Sequence, residues 1–113
     1  MSKRLRFRDI SDFKFYKQQL ANLTDPSNLP TVCTRYEFVK AVKRVSEEYY
    51  DRLYQAYISM PELQFYWNMV NELNRNNEDF QRLALVLQAT EDELNEIFRG
   101  VALDRLEKPW LED

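Results

Sequence analysis

Apolar residues recur at helical spacing along most of this chain. The exception is the start, where Arg4-Leu5-Arg6-Phe7-Arg8 alternates charge with bulk, the period-two pattern of an extended arm or short strand. Asp9, Ser11 or Asp12 then caps a first helix through about Leu23, with Phe13, Tyr16 and Leu20 on one face. The segment Asp25 to Pro30, closed by prolines at both 26 and 30, reads as a rigid loop. Thr34 and Glu37 have the spacing of a capping box, which opens the longest predicted helix, residues 35–59. At 1.5 Å per residue it would be roughly 37 Å long. Val39, Val42, Val45, Tyr49, Leu53, Ala56 and Tyr57 spread over about half its circumference, so it needs neighbours on two sides and is expected at the centre.

Ser59 and Glu62 form a second box, with Pro61 in the first turn of a helix running to about Arg75. Leu63, Tyr66, Trp67, Val70 and Leu73 would face inward from it. A further helix is predicted over 78–87, with Phe80, Leu83, Ala84 and Leu87 in register. Thr90 and Glu93 make a third box, ahead of a helix that buries Leu94, Ile97, Phe98 and Val101; Gly100 either ends this helix or weakens it. Leu103, Leu106, Trp110 and Leu111 form an apolar tail around Pro109. One Gly and four Pro leave few positions for the tight turns of an all-β fold. The expectation is an all-α single domain over residues 1–113. It is a compact bundle of four to five helices around the 35–59 helix, with an extended basic arm at 1–8 and an apolar tail at 103–113.

Charge divides the chain. Residues 1–44 hold ten Lys/Arg against four acids, a net +6, whereas residues 45–113 hold six against fifteen, a net −9. The total of −3 conceals a basic front and an acidic back, which bears on partners and association rather than on fold. Composition then removes whole classes of chemistry. There is no His, so Ser-His and Cys-His nucleophiles and His-ligated metals cannot be built. A single Gly rules out Gly-rich phosphate loops. The lone Cys33 cannot close an internal disulfide and is expected to be a small core residue. No apolar run follows the basic start as a secretory signal would require, and none approaches the length of a membrane span. A non-enzymatic cytoplasmic protein is expected, with no cofactor, no metal site, no small-molecule substrate and no membrane contact.

Three groups of residues remain as candidate contact surfaces. The basic group is Lys3, Arg4, Arg6, Arg8, Lys40, Lys43 and Arg44, placed either to meet phosphates or an acidic protein, or to fold onto the chain's own acidic half. The aromatic and apolar group is Tyr50, Tyr54, Trp110 and Leu111, each of which serves either a partner or the core. Tyr54 lies at the margin of the apolar arc. The acidic group is Glu91, Asp92, Glu93 and Glu96, in the first turns of a helix, where acids also favour the macrodipole.

Within residues 81–97, Leu83, Ala84, Leu87, Ala89, Leu94 and Ile97 are spaced as packing residues are in the helix-turn-helix of phage-repressor-type regulators, which the segment resembles. The resemblance implies two helices joined by a tight turn. It departs from that family at Gln88, where the turn usually has Gly, and at Glu91, Asp92, Glu93 and Glu96, whose charges repel a polyanion. The expected function is therefore an adaptor, inhibitor or assembly subunit that docks on a protein partner or on copies of itself. A nucleic-acid-binding regulator using the arm and the Lys40–Arg44 patch is the second reading.

Overall fold

Helix starts are set by side chains close in sequence. Thr34 Oγ1 accepts from Glu37 N at 3.1 Å while Glu37 Oε1 accepts from Thr34 N at 3.0 Å, and Thr90 and Glu93 repeat the exchange at 3.2 and 3.0 Å. Asp9 and Asn77 cap two more starts through Asp12 N and Asp79 N. The computed structural model of the chain describes residues 4–112. In chain order the elements are α1 (Ile10–Asn22), β1 (Val32–Thr34), α2 (Arg35–Val45), α3 (Glu47–Ser59), α4 (Pro61–Met69), β2 (Glu72–Asn74), α5 (Glu78–Leu87) and α6 (Glu91–Glu107). Single 3₁₀ turns sit at Pro26–Asn28 and Lys108–Trp110. The fold is all-α, with one small antiparallel pair in which Cys33 faces Leu73.

The helices pack in series. α1 lies on α6, α6 on α2, α2 on α3, and α3 on both α4 and α5. Phe38 of α2, Phe80 of α5 and Phe98 of α6 meet at the centre. Their rings are edge-on at 5.7 Å for Phe38–Phe80 and for Phe80–Phe98, an arrangement worth about 1 kcal/mol per pair beyond burial. Leu73, Leu83, Leu87, Ile97, Val42 and Val101 are closed off around them.

Three predicted elements are corrected. The 35–59 helix is two helices, broken at Ser46, whose φ of −163° and ψ of 126° are extended. Ser46 N–H still donates to Val42 O at 2.9 Å and its carbonyl accepts from Tyr50 N at 3.2 Å, so one residue closes α2 and opens α3. Lys43 and Arg44 in the last turn of α2, and Glu47 and Glu48 in the first turn of α3, suit two dipoles rather than one. The break lets α2 face α6 while α3 faces α4 and α5. Secondly, the helix predicted to reach Arg75 stops at Met69, because Leu73 is buried by pairing in β2. The Ser59–Glu62 box is not formed: the Ser59 hydroxyl bonds Gln55 O, and Met60 is the N-cap. Thirdly, α6 continues to Glu107, so Leu103 and Leu106 belong to that helix rather than to an apolar tail beginning at 103. Helix α1 forms as expected but contains no fully buried residue, and Phe13 is 42% exposed.

Gly100 neither ends nor interrupts α6. A Cβ there would lie 3.3 Å from Ala41 Cβ, so the missing side chain is what lets α2 and α6 cross closely. Along the same crossing, Arg105 grips Glu37, with Nε to Oε2 at 2.6 Å and Nη2 to Oε1 at 2.9 Å; Nη2 also reaches Val32 O at 3.1 Å. This guanidinium is the main reason the Glu37 carboxyl falls from its ordinary 4.5 to about 2.

Two outcomes follow from that crossing. Gly100→Val should destabilise the fold by about 2 kcal/mol, through overpacking against Ala41, read as a lower urea midpoint at unchanged slope. As for pH, the unfolded chain takes up a proton at Glu37 near 4.5 and the folded chain only near 2. The stability from the Glu37–Arg105 pair is thus present above 4.5 and drains away as pH falls toward 2. Arg105→Gln should flatten that part of the acid denaturation curve; an unchanged acid limb contradicts the assignment.

Candidate interaction surfaces

The N-terminal arm is held to the chain's own tail. Leu5 and Leu111 form an antiparallel bridge, flanked by Arg6 N to Trp110 O at 2.7 Å and Glu112 N to Arg4 O at 3.1 Å. Period-two alternation then turns Phe7 inward, its ring 5.2 Å from Tyr16 and 5.3 Å from Trp110. Trp110 Nε1 donates to Asp12 at 3.1 Å, and the same carboxylate is forked by Arg8 at 2.8 and 3.2 Å. Arg8 is the main cause that lowers the Asp12 carboxyl below the usual range.

The proposed basic group is thereby divided. Lys3 lies outside the described residues. Arg6 approaches Glu112 at 3.7 Å, Arg8 is committed to Asp12, and Arg44 holds Asp104 at 2.8 Å and Glu107 at 3.1 Å. Lys40 and Lys43 keep their charge facing outward and stand over aromatic rings, Lys40 at 5.9 Å from Tyr36 and Lys43 at 4.7 Å from Tyr50. Arg4 is exposed. The basic front is therefore not one patch, because the acidic end of α6 takes Arg44, the tail takes Arg6 and Asp12 of α1 takes Arg8.

The apolar candidates also separate. Trp110, considered above as a partner anchor, is only 7% exposed and is enclosed by its own aromatic cluster, and Leu111 is spent in the bridge to Leu5. Tyr54, by contrast, is 53% exposed, and with Tyr50, Tyr57, Val39 and Trp67 it lines a cleft of about 190 Å³ among α2, α3 and α4. In the acidic group Glu91 binds Arg75 at 2.6 Å, Glu93 is used by the capping box, and Glu96 pairs with Arg99. Asp92 has no ion-pair partner among the described residues. These acids are a capped and paired helix start rather than a free field.

Large apolar side chains also stand exposed on α4, which reads from sequence as a core helix. Leu63 is its one buried residue; Phe65 is 70% and Met69 69% exposed, while Tyr66 and Trp67 are half-buried. Helix α4 separates two clefts: Trp67 faces the tyrosine cleft, and Phe65, Tyr66 and Met69 face a groove of about 510 Å³ against Leu83 and Val86 of α5. Met60 sits at the same groove, with Glu62, Asp79 and Arg82 as its polar lining. Leu85 of α5 is also exposed, at 77%, but does not line this groove. The signal was present in the sequence. Leu63, Phe65, Tyr66, Trp67 and Met69 spread over roughly 200° of the helix, with Gln64 and Asn68 on the rest, and one packed face can bury only part of so wide an arc.

Residues 81–97 comprise most of α5, a short turn and the start of α6, with Gln88 at φ 55° and ψ 36° in the left-handed region that usually selects Gly. The Cys33 thiol is 1% exposed, and burial is the main cause that pushes it up to about 12, which makes it inert as a nucleophile. Among the described residues no cluster of three potential metal ligands occurs, and no helix is long and apolar enough to cross a membrane. Comparison with known protein families, curated proteins and solved structures finds no match to this chain.

The arm–tail clasp is checked by Trp110→Ala. It should cost about 3 kcal/mol in denaturant unfolding, as expected for emptying a buried aromatic site. Amide exchange at Arg6 and Glu112 should rise toward that of an unprotected chain while the Phe38–Phe98 centre stays protected. Uniform loss of protection would show that clasp and core unfold together.

Proposed function

We propose that the chain is a small non-enzymatic protein-interaction module of the cytoplasm, an adaptor, inhibitor or assembly subunit that works by docking an apolar helix framed by charge. The observation that carries this is α4: Phe65 and Met69, both about 70% exposed, stand beside a groove that α5 leaves open. Such a surface keeps a cost in water that a partner would remove, at roughly 25 cal/mol per Å² of apolar area covered. Exposed Tyr54, with the half-buried Tyr50 and Trp67 on the neighbouring cleft, extends the same end with residue types that serve as interface anchors. The absence of His from the sequence supports a role without acid–base chemistry, and a single buried free thiol suits a reducing compartment.

A nucleic-acid-binding regulator is the second reading. It is favoured by Lys40 over Tyr36 within α2 and by Lys43 of α2 over Tyr50 of α3, which join cation and ring on neighbouring turns. It is weakened by Arg6, Arg8 and Arg44, whose guanidinium groups already meet carboxylates.

Affinity capture from the native source decides between them. A doubly substituted protein, Phe65→Glu with Met69→Glu, should keep its fold, since both positions are exposed, and should lose at least tenfold of its captured protein partner. Capture that ignores this pair but falls when Lys40 and Lys43 become Ala, and that depends steeply on salt, would favour nucleic acid instead.

A further inference from the structure

We infer that the α4–α5 groove receives the outer face of α1 from a second copy of this chain, so that copies join head to tail. The inference rests on the interaction-module reading and names its partner. Two of the apolar faces left uncovered in the described structure are far apart in the packing order: α1 lies beyond α6, and the α4 side of the groove lies beyond α3. One copy cannot close its own groove with its own α1 without unstacking the layers between them.

The two faces fit chemically. Along α1, Ile10, Phe13, Lys14, Lys17 and Ala21 recur at i, i+3, i+4, i+7 and i+11, the spacing of one helix side, and all five are exposed. Ile10 is 67% exposed, and Lys17 lies 5.6 Å from the Phe13 ring. This side carries two lysines and no acid, since Asp12 points inward to Arg8 and Trp110. It is an amphipathic basic helix edge with apolar anchors, the form that a hydrophobic groove recognises. The groove offers the complement. Phe65, Met60 and Met69 supply adaptable apolar contact, while Glu62 and Asp79 supply negative charge. Asp79 is answered by Arg82 at 3.7 Å, whereas Glu62 has no ion-pair partner among the described residues and can meet a lysine.

The inserted helix, α1, is presented rigidly. Arg99 of α6 donates to Leu23 O at 2.8 Å, and Trp110 fixes Asp12, so both ends of α1 are anchored before any contact forms. A face on one copy that meets a different face on the next is a heterologous contact. It propagates as a ring or an open chain rather than stopping at a two-fold dimer.

Sedimentation of three proteins tests this: the unaltered chain, a groove variant (Phe65→Glu with Met69→Glu) and a helix variant (Ile10→Glu with Lys17→Glu). All four substitutions fall on exposed positions outside the arm–tail clasp, and circular dichroism verifies the fold of each. The unaltered chain should gain mass with concentration at low salt and lose it at high salt. Each variant alone should be monomeric, its dissociation constant raised at least tenfold. Mixed together they should form a one-to-one heterodimer and nothing larger, because the groove variant still has its α1 and the helix variant still has its groove. An unaltered chain that stays monomeric at high concentration and low salt overturns the inference, as does a mixture that stays monomeric when the unaltered chain associates. The interaction-module reading fails separately. It falls if neither a foreign protein nor a second copy is bound in a way that depends on Phe65 and Met69, whereas a Phe65-dependent foreign partner with a monomeric chain defeats self-assembly alone.

Discussion

Where α2 crosses α6, Gly100 and Ala41 allow a separation that a single extra methyl would already strain, and the rest of the fold is arranged around that approach. It brings Phe38 against Phe98 and leaves room for Phe80 to arrive from α5. It also sets charged groups from distant parts of the chain within bonding reach. Arg105 meets Glu37, and Arg44 meets Asp104 and Glu107. These pairs flank the apolar crossing, Asp104 and Glu107 largely covered and Asp104 Oδ2 without a partner among the described residues, so they give direction to the packing at some desolvation cost.

The same contacts change the meaning of the charge division. A basic first part and an acidic second part are, in part, a folding device: Arg6 and Arg44 find Glu112, Asp104 and Glu107 across the molecule. What is left for partners is smaller and differently placed than the totals imply. Lys14 and Lys17 remain on α1, Lys40 and Lys43 on α2, and Glu62 beside the α4–α5 groove.

Apolar exposure, not charge alone, distinguishes the two ends. Helix α4 is short and apolar over more than half its circumference, yet Leu63 is its one buried residue. Helix α1 is tied down at its ends by hydrogen bonds and an aromatic cluster while its outer side stays bare. Bare apolar surface held on a rigid frame costs little further ordering when a partner covers it.

Local chemistry determined much of this protein before any packing. Thr34 with Glu37 and Thr90 with Glu93 start their helices where a capping box must, and the periodic apolar residues of α5 name its buried face without help from afar. The break at Ser46 was also within reach of local reasoning, since basic residues precede it and acidic ones follow. Tertiary structure decided what depends on residues far apart in the chain. Leu73 left a helical pattern for a strand because Cys33 was there to face it, and Trp110 turned inward because Asp12 and Phe7 enclosed it. The open side of α4 belongs to the same class. Periodicity tells which residues are apolar, but only the assembled layers tell which of them run out of neighbours.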